Sequence, residues 1–151
     1  MKRTGVLDLL APFLIVGATV YVLLKVSYHS YPVLSYATPV PIAALALVEL
    51  VVARRVRAAV RHVPYAKPMT AIAIARCVAL GKASSVVGAA VGGAAAGLLV
   101  RVLPDAGDVR AAADDARAAA LLLAGCVLIV VAGLILERAG IDPNRDRRDR
   151  H

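Results

Sequence analysis

Two groups of residues in this 151-residue chain have types and spacings that could do chemistry. Asp114 and Asp115 are adjacent, with Asp105 and Asp108 a short loop away. Neighbouring carboxylates of this kind hold divalent metal in membrane enzymes that handle diphosphates. That chemistry takes several aspartates at helical spacing, and the chain has no second such motif. Arg110 and Arg117 lie at helical spacing from the pair, so Asp114, Asp115 and Arg117 read as a solvated, charge-paired helix face on the outer side. The second group is Glu49 and Lys82, charges that interrupt apolar stretches. Glu49 precedes Arg54 by five residues and Lys82 follows Arg76 by six, so on antiparallel helices they fall at similar depth. A charge at mid-bilayer costs about 2.5–3.5 kcal/mol, less near the interface, and pairing across the two helices would offset much of it. The expectation is an intramembrane ion pair, Glu49–Lys82, that sets helix register. The same depth is where a proton- or ion-coupled site would lie.

Other catalytic spacings are missing from the sequence. It has no Walker-type glycine loop, no His-Glu-x-x-His, no Cys-x-x-Cys and no Gly-x-Ser-x-Gly. His29, His62 and His151 fall on separate segments and build no metal site. Cys77 and Cys126 sit at different depths of two apolar spans and read as small packed side chains. The chain is therefore read as non-enzymatic, with no cofactor and no metal.

The elements that must position these residues are four long apolar stretches, with helical spans at about 6–26, 39–56, 74–100 and 117–137. Pro39 or Pro41 suits the first turn of the second span, which continues into a basic amphipathic extension over 54–63. Residues 70–100 make roughly 46 Å of helix against a hydrocarbon core of about 30 Å, so the turns around Arg76 lie in or below the inner interface. Asp108 is a fair N-cap for the charged, alanine-rich stretch leading into the fourth span. Tyr21, Tyr28, Tyr31 and Tyr36 cluster around the first loop, where an apolar ring with a wet hydroxyl suits the interface. Residues 141–151, without an apolar side chain beyond Ile141, read as a disordered charged cytoplasmic tail.

Composition and charge agree with a membrane protein. Sixty per cent of residues are hydrophobic and the mean hydropathy is +0.76. The net charge is +8, but the basic residues flank apolar spans rather than aromatic stacking positions, which argues for anionic lipid at the inner basic loop and against nucleic acid. Lys and Arg number two before the first span, five between the second and third, and five after the fourth, twelve against four on the other side, so both termini are expected in the cytoplasm. Lys2 and Arg3 resemble the basic end of a signal peptide, but Val6–Val26 is long for one and no small-x-small site follows, so the span is read as retained.

The third span carries two rows of small residues: Gly81, Ser85, Ala89, Gly93 and Gly97, and beside it Ser84, Gly88, Gly92 and Ala96. Together they form a wide face that lets another backbone approach closely. The face fits packing within the bundle, and it also fits a second copy of the chain or a membrane partner.

Nearly the whole chain resembles a family of small, uncharacterised four-span membrane proteins of high-GC Gram-positive bacteria, a domain of unknown function. The matching pieces are Met1-Lys2-Arg3-Thr4, Tyr31-Pro32, Glu49 with Arg54–Arg57, Ala75-Arg76, Leu80-Gly81-Lys82-Ala83-Ser84 and Ala113-Asp114-Asp115-Ala116-Arg117. The resemblance implies a plasma-membrane protein and no defined activity. The expected architecture is thus an all-α, four-helix transmembrane bundle with both termini cytoplasmic, over residues 1–140. The expected role is an accessory or scaffold component that packs through the third helix, with a small oligomeric transporter or channel subunit as the alternative.

Overall fold

The computed structural model describes residues 5–26, 37–61, 68–107 and 109–140, and these are helical with short connections. Helix α1 is Val6–Val26, α2 is Pro39–Val60, α3 is Ala71–Val102 and α4 is Arg110–Ala139; a single 3-10 turn, Leu103–Asp105, follows α3. The tail, the first loop with Tyr28, Tyr31 and Tyr36, Lys2, Arg3, Lys67 and Asp108 lie outside the described residues.

Local signals explain the ends. Pro39 and Pro41 occupy the first turn of α2, where a missing N–H costs nothing. The Thr70 hydroxyl accepts from the Ala73 N–H at 3.3 Å and caps α3. The α4 cap position falls on Val109, with no side-chain hydrogen bond. Gly140 ends α4.

The helices stand in a row, α1–α3–α4–α2, and not in sequence order around a square. Among the described residues α1 packs on α3 alone, α3 on α4, and α4 on α2, while α2 touches α3 only marginally. Contacts fix the directions. Phe13 lies against Gly93 and Gly17 against Gly97, so α1 and α3 run parallel. Gly81 meets Gly133 and Gly92 meets Cys126, so α3 and α4 are antiparallel. Ile42 packs near Gly125 and Ala53 clusters with Leu136, so α2 and α4 run parallel. The start of α1 and the end of α4 therefore lie at one end of the bundle.

The row is staggered. Counting from Phe13 beside Gly93, Val6 is level with about residue 86 of α3. Helix α3 begins at Ala71, so at 1.5 Å per residue it runs on for about 22 Å past the start of α1. Conversely, α2 begins beside Gly125, eight residues and about 12 Å inward of Arg117 on α4. Beyond the start of α1 the protein is a three-helix extension with its own apolar centre, Ala53, Val56, Leu136 and Ala139.

Helices α1, α3 (with its 3-10 turn) and α4 are long and apolar enough to cross a membrane. Helix α2 is outside that set because its first 18 residues already hold Glu49, Arg54 and Arg55. Large apolar side chains cover the outside, among them Leu14, Ile15, Leu47, Val87 and Leu128. Such a surface suits lipid, where the outward residues of a span meet acyl chains rather than water.

Candidate functional site

The small residues of α3 make two separate seams. On the α4 side, Gly81, Ser85, Gly88, Gly92 and Ala95 alternate by four and three residues, and they face Leu122, Cys126, Ile129, Gly133 and Leu136, spaced the same way along α4. That average of 3.5 keeps a seam on one side of a helix in left-handed packing. The contact is backbone to backbone at its centre: a methyl on Gly81 would stand 2.6 Å from the Gly133 carbonyl oxygen, and one on Gly133 would stand 2.5 Å from that of Gly81. A strict four-residue row turns by about 40° each step. The row that starts at Gly81 on the α4 side has therefore come round by Gly93 and Gly97 to the opposite flank, where Phe13 and Gly17 of α1 cover it. Both rows are occupied inside the chain. Cys126 is buried in the α4 seam, and neither cysteine is in a disulfide.

Glu49 sits in the stripe of α2 that faces α4, between Ala46 and Ala53, and is 1% exposed. At its level α4 carries the small residue Ala132, packed in a cluster with Ala46 of α2, and α3 brings Ser84 beside it. Neither carboxyl oxygen of Glu49 has a hydrogen-bond partner among the described residues. The Ser84 hydroxyl is the polar side chain beside it, but that hydroxyl donates to the Leu80 carbonyl of its own helix at 2.8 Å. Ser85, also buried, donates to the Lys82 carbonyl at 2.9 Å.

Lys82 does not join this group. It is exposed, two residues and thus about 200° around α3 from Ser84. Sequence counting places the two charges at matching depth, and their levels do match. Their directions do not, because α2 packs on α4 and meets α3 only at its edge. The expected Glu49–Lys82 ion pair is absent among the described residues. A double-mutant cycle on Glu49→Gln and Lys82→Met, read by thermal stability of the purified protein, is expected to give a coupling below about 0.5 kcal/mol, the additivity of non-contacting sites.

The charged cluster of Asp114, Asp115 and Arg117 is a surface arrangement. Arg117 donates to Asp114 at 3.2 Å, with both side chains more than half exposed, and Arg101 pairs with Asp105 at 3.1 Å. Such exposed pairs contribute up to about 1 kcal/mol each. Among the described residues no three metal-ligating side chains converge.

Sequence reasoning passed over Glu137. It is 6% exposed on α4, next to the backbone contact at Gly81, and it is engaged by a partner. Nothing in its position separates it from an ordinary interfacial charge, because Arg138 follows it and the apolar stretch ends there.

No curated protein and no solved structure matches the chain. A family model described as "Protein of unknown function (DUF3180)" matches residues 9–143, most of the chain, and the protein belongs to that family.

Proposed function

We propose that the protein is a multi-pass plasma-membrane protein with four spans and both termini cytoplasmic, and that it acts as a non-enzymatic accessory or scaffold component. The alternating helix directions support the orientation, as does the basic character of the end at which α1 starts. Beyond that start, the exposed charged side chains among the described residues are Arg54, Arg55, Arg57, Arg61, Arg76, Lys82 and Arg138, all cations. Cations at this end suit the anionic inner leaflet.

One observation carries the scaffold reading and moves its surface from α3 to α1. None of the 21 residues of α1 is buried. The helix is held by one stripe, Leu9, Phe13, Gly17 and Leu24, which is half-buried, and it presents Leu7, Leu14, Ile15, Val22 and Leu23 outward at the end of the row. A photo-crosslinking side chain at Leu14, Ile15 or Leu23 is expected to trap one discrete protein in native membranes, a second copy of this chain included, while the same group at Leu128 or Val131 of α4 is not. Lipid adducts alone from every position would overturn the reading.

A second reading, an oligomeric transporter or channel subunit, is favoured by the unpartnered Glu49 carboxyl. Ionisable groups buried in membrane spans recur along ion and proton pathways. Flux in liposomes that disappears with Glu49→Gln is its test.

A further inference from the structure

We infer that Glu49 and Ser84 form a binding site for a small monovalent cation, a proton or a sodium ion. The argument is one of hydrogen-bond inventory. An ionised carboxylate offers only acceptors, and a buried one needs donors or a cation to replace water. Glu49 is 1% exposed and neither of its oxygens meets a donor among the described residues. The Ser84 hydroxyl beside it has its hydrogen on the Leu80 carbonyl at 2.8 Å, with the Gly81 carbonyl a further acceptor at 3.4 Å. That hydroxyl is free to rotate about its own bond and lies beside the Glu49 carboxyl, so its oxygen is the polar atom at hand there, as donor or as acceptor. The result is a buried carboxyl beside a hydroxyl, with no positive group among the described residues.

The neighbours supply none. On α4, Ala132 and Gly133 are apolar at this level, and Glu137, one turn inward, carries the wrong sign and is engaged elsewhere. On α3, Ser85 directs its hydrogen to the Lys82 carbonyl, and Lys82 itself is exposed on another face. On α2, Arg54 and Arg55 lie more than a turn away and are exposed. Both Glu49 oxygens are sealed from the surface, so a side chain of a second protein does not reach them. A bare proton or a dehydrated sodium ion is far smaller than any side chain. A proton would bridge Glu49 to the Ser84 oxygen. A sodium ion would take the carboxyl and hydroxyl oxygens, the kind of donor that hard cations prefer.

The inference extends the second reading above by naming the ion, and it rests on that reading for the site but not for transport. The test uses the full-length protein in nanodiscs and dicyclohexylcarbodiimide, an apolar reagent that adds to a carboxyl through its proton. Peptide mass spectrometry is expected to find the adduct on Glu49, its rate falling as the pH is raised. The comparison of sodium chloride with choline chloride at equal ionic strength separates the two ions. Suppression of labelling by sodium, weakened several-fold in Ser84→Ala, assigns sodium; labelling that answers to pH alone assigns the proton. Both outcomes support the site, and labelling without liposome flux keeps the site while removing transport. If no adduct forms at Glu49 at any pH, infrared spectroscopy of the same folded protein separates exclusion of the reagent from a standing carboxylate, and a carboxylate band without any carboxylic C=O band under all conditions overturns the inference. Glu49→Gln is the blank for the adduct. Should it fail to fold, the wild-type protein still decides the matter by infrared spectroscopy: a carboxylic C=O band that shifts with pH or sodium supports the site, and its absence under all conditions overturns it.

Discussion

Gly133→Leu is expected to abolish accumulation of folded protein. A side chain at Gly133 runs into the Gly81 carbonyl oxygen at 2.5 Å and the Ser85 nitrogen and Cβ at 3.1 and 3.2 Å. Two of these three atoms are backbone, which does not turn aside as a side chain would. Overpacking of this kind costs about 1–3 kcal/mol for small additions, and Leu adds far more than a methyl. Even Gly133→Ala, which gains about 1 kcal/mol of intrinsic helix propensity, should come out net destabilising. The seam between α3 and α4 is the middle of the row, so its opening strands both outer helices. Cysteine crosslinking across each helix pair is expected to fail for α3–α4, α1–α3 and α2–α4 together. The opposite sign is expected at Gly125, where a methyl would find nothing nearer than 3.7 Å. Gly125→Ala should hold or raise the melting temperature.

Gly93→Leu is expected to have a large but confined effect. A Cβ on Gly93 collides with the Phe13 carbonyl, and one on Gly97 with the Gly17 carbonyl. Helix α1 touches no other element among the described residues. Its release should therefore leave the other three helices in place. The prediction is loss of α1–α3 crosslinking, retention of α3–α4 and α2–α4 crosslinking, and protease sensitivity that begins in the first quarter of the chain. Unfolding of all three pairs would show that α1 is needed to hold the row.

Some of this architecture is legible in the sequence. Four apolar stretches of helical length, proline at the start of α2 and glycine after α4 mark an all-α bundle. The small residues of α3 announce that backbones come close, yet they do not say whose. A glycine row is compatible with any neighbour, and only the slow rotation of a four-residue repeat, which hands Gly81 to α4 and Gly93 to α1, explains two partners on one row. Depth is readable by counting residues from a charged end, so Glu49 and Lys82 were placed at the right level. Facing is not readable, because it depends on which helix α2 chooses. Glu137 hides for the opposite reason: its depth looks ordinary, and only the closeness of Gly81 and Gly133 makes it buried.

The spatial order α1–α3–α4–α2 also has a consequence for synthesis. Consecutive helices α1 and α2 leave the ribosome first, yet neither is the other's neighbour. The stripe of α1 that carries Phe13 and Gly17 finds Gly93 and Gly97 only after 80 further residues, roughly 4–16 s at about 5–20 residues per second. In that interval α1 is a solitary helix in the bilayer, which its apolar surface permits because its charges, Asp8 and Lys25, lie near its two ends. Helix α2 waits about as long, 83 residues from Ile42 to Gly125, with Glu49 uncovered until α4 arrives. The pair α1–α3 is the first able to close, as soon as Gly97 is made; α4 then folds back on the other flank of α3 and offers its own far side to α2.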